Sequence, residues 1–235
     1  MKHRSALSFF LLVIAVIAGC ATSAPLQPAK GGDQEPMYGG MDRQSVPALR
    51  TADEKLIAGA SKEFGSREKG SDAFVDQGIR LYQADNLSLA MKRLNQAWIL
   101  NPSNPNVFWG FAMIYHDQGE NCKAKDMIDR SVGLNLSKPI ALADAGRIYT
   151  LCGASDKALD AKTRSGYFEK SEELYKKASA ASQNNGYIYG SWATAYYWRG
   201  DYAHSWEMVK KAKSTGFRFP EQFMNLLRDK MPEPK

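Results

Sequence analysis

Four stretches of the chain, beginning at Ser71, Pro105, Pro139 and Gly186, carry the same order of large and small residues, and this recurrence constrains the fold more tightly than any other feature. The first places Phe74, Gly78 and Leu81 on one stretch and Ala90, Leu94 and Ala97 on a second, with Asp85-Asn86 between them and Pro102 closing the unit. Steps of three and four put each set on one face of a helix, the small Gly78 and Ala90 allow a close approach, and Asp-Asn suits the turn. Phe108, Ala112, Tyr115, Gly119, Ala124, Ile128 and Ser131 take the corresponding offsets in the second unit. Leu142, Gly146, Tyr149 and Gly153 do so in the third, whose second helix resumes at Ser171, Tyr175 and Ala178. The fourth has Tyr189, Ala193, Tyr196, Gly200, Ser205, Val209 and Ala212. The first step is 34 residues and the last is 47, so about 13 residues are inserted in the third unit, around Asp156 to Gly166. Lys157, Lys162 and Arg164 beside Asp156 and Asp160 favour a solvated loop there.

A single helix pair cannot bury its apolar face, whereas several stacked pairs bury one continuous core. The expected fold is therefore all-α, a short solenoid of about four helical hairpins over 71–216. Over roughly Ser71 to Gly216 the pattern resembles the tetratricopeptide repeat family, whose period is 34 residues. It departs from that family in three ways: the first bulky position is Phe, Phe, Leu and Tyr, never Trp; only the first unit has the closing Pro; and the third is split. An N-terminal capping segment is expected over 51–70, with a helix at Leu56 to Phe64. A C-terminal cap and tail occupy 217–235, with a helix at Pro220 to Asp229 that places Phe223, Leu226 and Leu227 on one side.

The other end of the chain has a different character. Lys2, His3 and Arg4 precede an apolar run from Leu7 to Ile17, which ends at Ala18, Gly19 and Cys20. Such an order reads as a cleaved secretory signal over 1–19, the run being too short for a permanent bilayer helix. Ile17-Ala18-Gly19-Cys20 resembles the lipobox of bacterial lipoproteins, which implies lipidation of Cys20 and anchorage of the mature chain in a membrane. Ala21, where inner-membrane lipoproteins commonly carry Asp, implies by the same resemblance the outer membrane, facing the periplasm. Residues 20–50 contain Pro25, Pro28, Pro36 and Pro47 with Gly31, Gly32, Gly39 and Gly40 and show no apolar periodicity, so they are expected to be a flexible linker.

Cys122 and Cys152 are the remaining cysteines, in a chain expected to meet an oxidising compartment. Cys122 lies at the start of the second unit's second helix and Cys152 at the end of the third unit's first helix. Antiparallel packing of those two helices would bring the thiols together, and a disulfide is expected.

No catalytic constellation is visible. His3, His116 and His204 are the only histidines, and the sequence has no phosphate-binding loop, no Gly-x-Ser-x-Gly elbow and no clustered metal ligands. The chain is expected to be no enzyme and to need neither cofactor nor metal. Glu172-Glu173, among Lys170, Lys176 and Lys177, are expected to be solvated helix pairs. The formal charge of +6 from 31 basic and 25 acidic residues falls to +4 without Lys2 and Arg4, too little to imply a nucleic-acid partner.

What remains is surface. The tetratricopeptide resemblance implies a concave groove lined by first-helix residues, which here are Tyr82, Asn106, Trp109, His116, Asp117, Arg147 and Tyr197. The implied partner is another envelope protein or a peptide segment, bound by an adaptor that serves envelope, secretion or pilus assembly, with the membrane reached through the lipid anchor. A competing expectation comes from the fourth unit, where Tyr187, Tyr189, Trp192, Tyr196, Tyr197, Trp198, Tyr202 and Trp206 crowd together. Most should be core, but Tyr197 and Trp198 fall off the packing face, which would suit a peptidoglycan or carbohydrate ligand. Self-association through an exposed end of the solenoid is a third expectation.

Overall fold

The computed structural model describes residues 32–234. The signal segment, Cys20 and the first part of the linker lie outside the described residues. Within them the chain forms ten α-helices and no strand. α1 (Pro47–Phe64) precedes four hairpins: α2 (Arg67–Gln83) with α3 (Leu87–Leu100), α4 (Pro105–Asp117) with α5 (Asn121–Gly133), α6 (Pro139–Ser155) with α7 (Ala161–Ala181), and α8 (Gly186–Trp198) with α9 (Tyr202–Ser214). α10 (Glu221–Lys230) closes the array. Each hairpin packs most extensively on itself, and the first helices α2, α4, α6 and α8 also pack on one another in sequence. They form the inner layer of a helical-hairpin solenoid, and α3, α5, α7 and α9 form the outer one.

Local chemistry explains the boundaries. Pro105 and Pro139 open α4 and α6, where a missing N–H costs no helical hydrogen bond. Asn86, Asn104, Asp160 and Asp201 accept backbone N–H bonds as N-caps. Gly119 and Gly200 take positive φ in the turns of the second and fourth hairpins, and Asp85 takes the same conformation in the first. Gly78 carries no side chain because Leu94 lies against it: a Cβ there would stand 3.0 Å from Leu94 Cγ. Buried hydroxyls tie the two layers together, Ser131 donating to the Pro105 carbonyl (2.7 Å) and Ser205 to the Ala193 carbonyl (2.8 Å).

Cys122 and Cys152 form a disulfide between the start of α5 and the end of α6, with Cα atoms 4.8 Å apart. This is the pairing expected of antiparallel neighbours, and it joins the second hairpin to the third.

The structure corrects the expected organisation in four places. The linker expected to run to Arg50 is already packed from Asp33. The buried Asn95 amide on α3 donates to the carbonyls of Asp33 (3.0 Å) and Glu35 (2.9 Å) and accepts from the Tyr38 N–H (3.3 Å). Tyr115 donates to Glu35 (2.9 Å), and Met37 and Tyr38 take left-handed φ so that the backbone can meet Asn95. Arg43 then forks onto the buried Asp53 carboxylate at 2.5 and 3.0 Å and covers the Tyr38 ring. Second, Pro47 starts α1 rather than punctuating a tether, and α1 runs nine residues ahead of the expected Leu56; the Gly65 turn and Ser66 cap then start α2 at Arg67 instead of Ser71. Third, the insertion is a loop only as far as Asp160. Its remainder is the first turns of α7, with Asp160 capping Thr163 and Arg164 donating to the Gly153, Asp156 and Leu159 carbonyls. Fourth, α10 buries Met224 and Leu227 and leaves Leu226 49% exposed, so Leu226 is not on the packing side.

Two measurements check these contacts. Reduction of the disulfide, or Cys122→Ser with Cys152→Ser, is expected to lower unfolding free energy by roughly 3–4 kcal/mol, since it closes a loop of about 30 residues; thermal melts with and without reductant read this. Asn95→Ala strands three backbone groups, at about 1–3 kcal/mol. Hydrogen exchange over 33–46 should then accelerate while exchange in α4 to α6 stays unchanged.

Candidate functional site

The inner layer carries a cavity of about 800 Å³ to which every first helix contributes. α2 supplies Tyr82, α4 supplies Trp109 and Met113, α6 supplies Ile140, Asp144 and Arg147, and α8 supplies Tyr187. At its centre is Asp144, a carboxylate only 2% exposed and the one acid of α6. One oxygen accepts from Trp109 Nε1 (3.1 Å); the other accepts from Arg147 (3.2 Å) and the Tyr187 hydroxyl (2.5 Å). A buried carboxylate is tolerable only with such partners. Three donors on three helices are thereby held in place around one acceptor.

Burial pushes the Asp144 carboxyl above its ordinary value, opposed by the Arg147 charge and by the Tyr187 and Trp109 hydrogen bonds. For Arg147, burial is the largest single influence and disfavours the charge, but Asp144 together with the Tyr187, Tyr175 and Tyr82 hydroxyls outweighs it and raises the pKa. Burial and then a hydrogen bond to Asp117 push the Tyr82 hydroxyl upward as well, so it stays a neutral donor. Arg147 uses one terminal nitrogen on Asp144, and its Nε is buried without a hydrogen-bond partner.

A second cavity of about 420 Å³ continues along the same face beyond Arg147, which lines both. Its walls are His116, Leu151, Ala154, Thr194 and Trp198. His116 Nδ1 lies 3.0 Å from the Asn121 amide oxygen, one residue before the disulfide, so the cross-link stiffens this wall.

The seven residues expected to line a groove therefore divide. Tyr82, Trp109 and Arg147 meet at the first cavity, and His116 lies at the second. Asp117 is exposed at the end of α4 and reaches the groove only through the Tyr82 hydroxyl. Asn106 lines neither cavity: it sits in the first turn of α4, its N–H held by Asn104. Tyr197 is also misplaced, because α10 packs against it and Phe223 stands edge-on to its ring at 5.9 Å. Among the crowded aromatic residues Trp192, Tyr196 and Trp206 are core, while Trp198 is 55% exposed. Glu172 is not merely a solvated partner of lysines, since it accepts from Trp192 Nε1 and the Tyr196 hydroxyl and so fastens α7 to α8.

Asp144, Tyr187, Met113 and Ile140 were not expected at the site. Asp144 had a signal: it is the lone acid in the long uncharged run from Pro139 to Gly146, one turn before Arg147. Tyr187 had none, because its pairing with Asp144 spans 43 residues.

No protein-family model matches the chain, and no curated protein matches it.

Asp144→Ala is expected to cost roughly 3–5 kcal/mol, because it leaves Arg147 buried without its counter-charge and frees two further donors. Denaturant unfolding measures the loss, and Asp144→Asn should recover only part of it.

Proposed function

We propose that this protein is a non-enzymatic adaptor that holds a polypeptide segment of another protein along the inner face of its solenoid. The observation that carries the reading is the convergence of one side chain or more from each of the four first helices on a single open cavity, with aromatic rings and a forked cation at its walls. Trp, Tyr and Arg are the residues that dominate binding energy at protein interfaces, since they offer large area or paired hydrogen bonds for little conformational entropy. Membership of the tetratricopeptide repeat family is part of this proposal. It is supported by the 34-residue step between Ser71 and Pro105 and by helices that open at Pro105, Pro139 and Gly186.

We place the adaptor in a bacterial envelope, anchored through a lipidated Cys20 to the outer membrane and facing the periplasm. The basic, apolar and small-residue order that ends at Cys20 supports the anchor, and a disulfide between Cys122 and Cys152 suits an oxidising compartment. A role in secretion, pilus or other envelope assembly fits a tethered binding module. A carbohydrate reading has one observation in its favour, the exposed Trp198 ring beside the second cavity; binding of the purified protein to isolated peptidoglycan without any protein partner would support it.

The test is a crosslinked pull-down from intact envelopes with the wild-type chain, Tyr82→Ala and Trp109→Ala. A partner captured by the wild type should be lost, at least tenfold, from Trp109→Ala with far-UV circular dichroism unchanged. Equal capture by all three would remove the inner face from consideration.

A further inference from the structure

The two most exposed large apolar side chains in the described part of the protein are Ile140 and Trp198, each 55% accessible. They are not scattered. Ile140 stands at the first cavity and Trp198 at the second, and Arg147 lies between them in the wall of both. The inner face thus presents an apolar site, a partly exposed cation, and a second apolar site, in that order.

The spacing selects a ligand geometry. At 1.5 Å per residue, Asp144 in the first wall and Leu151 in the second are about 10 Å apart along the helix, and Ile140 and Leu151 about 16 Å. In an extended chain the side chains of residues i and i+4 point the same way about 13 Å apart, whereas those of i and i+2 are only about 7 Å apart. The i, i+4 pair spans the two cavities, with residue i+2 facing the same way over Arg147. Charge favours an acid at that middle position. Arg147 commits only its Nη2 to Asp144 and keeps 22% of its side chain accessible at the cavity wall. Arg80 and Lys138 at the first cavity also outnumber its remaining acid, Asp76. A guanidinium fork with free donors matches a carboxylate.

We propose that the inner face binds an extended segment of a partner protein with the pattern apolar-x-(Asp or Glu)-x-apolar, its outer side chains covering Ile140 and Trp198 and its carboxylate received by Arg147. This rests on the adaptor reading above and specifies its ligand.

The experiment is fluorescence anisotropy of the full-length protein against a synthetic peptide library with Leu, Ile, Phe or Trp at positions i and i+4 and Glu, Gln or Lys at i+2. Glu-centred peptides should bind at least about tenfold tighter than their Gln counterparts and more than that over Lys. Arg147→Gln should abolish the preference for Glu over Gln. Because that variant disturbs Asp144, the surface change Trp198→Ala is measured alongside it and should weaken Glu-centred peptides about fivefold or more without altering the Glu-to-Gln ratio. Equal binding of Glu and Gln peptides, or tighter binding of peptides with the apolar pair at i and i+2, would overturn the inference while leaving the adaptor reading intact. No binding by any peptide overturns both.

Discussion

The architecture depends on how closely other helices can approach α6. Ala141, Ala143 and Ala145 on that helix have no accessible surface, and α6 touches α4, α5, α7 and α8 at once. Gly146 makes the tightest of these contacts. A Cβ at that position would stand 2.8 Å from the Tyr175 ring, so the absent methyl is what lets Tyr175 lie flat across α6. Tyr175 in turn stacks on Trp192 at 5.2 Å, and Trp192 on Tyr196 at 6.1 Å, so the approach to one glycine orders the aromatic run that joins the third hairpin to the fourth. Dispersion and apolar burial then hold the layers, with individually weak contacts adding up over the closely packed interface.

The same crowding fixes the character of the inner face. Leu142, Ile148 and Tyr149 are buried with the alanines of α6, which leaves Ile140, Arg147 and Leu151 as its long side chains at the cavities. Asp144 is buried and would be costly alone, and its three donors turn that cost into positional order for Trp109, Arg147 and Tyr187. The carboxylate is therefore a positioning group, and the surface it organises is what meets solvent. The outer layer is engaged differently, with Asn95 occupied by the segment that leads into α1.

Much of this was legible in the chain. The starts of α4, α6 and α8 and the partnership of Cys122 with Cys152 follow from periodicity, because a repeated unit places every later residue once the first is placed. Tyr82, Trp109 and Arg147 were implied by the tetratricopeptide resemblance once its groove positions were carried onto the same register. Features that depend on contacts outside the repeat were not legible. The 33–46 segment looks like linker because Pro and Gly break its apolar pattern, yet hydrogen bonds from Asn95 and the burial of Pro36 and Tyr38 hold it. Tyr197 has the right register for a groove, but α10, which belongs to no repeat, packs against it. The insertion near Asp156 reads as loop from its mixed charge, and one capping carboxylate, Asp160, converts half of it to helix.

The inner layer exposes Ile140 at 55% and the outer layer Leu89 at 46% accessibility, and Ile140 lies at a cavity. That contrast allows a direct measurement: a photoactivatable benzophenone amino acid placed at position 140 or at position 89 and irradiated in living cells. If α6 faces a bound segment, position 140 yields a discrete adduct with another polypeptide and position 89 does not. Equal labelling from both positions, or a polypeptide adduct from position 89 alone, would contradict the account.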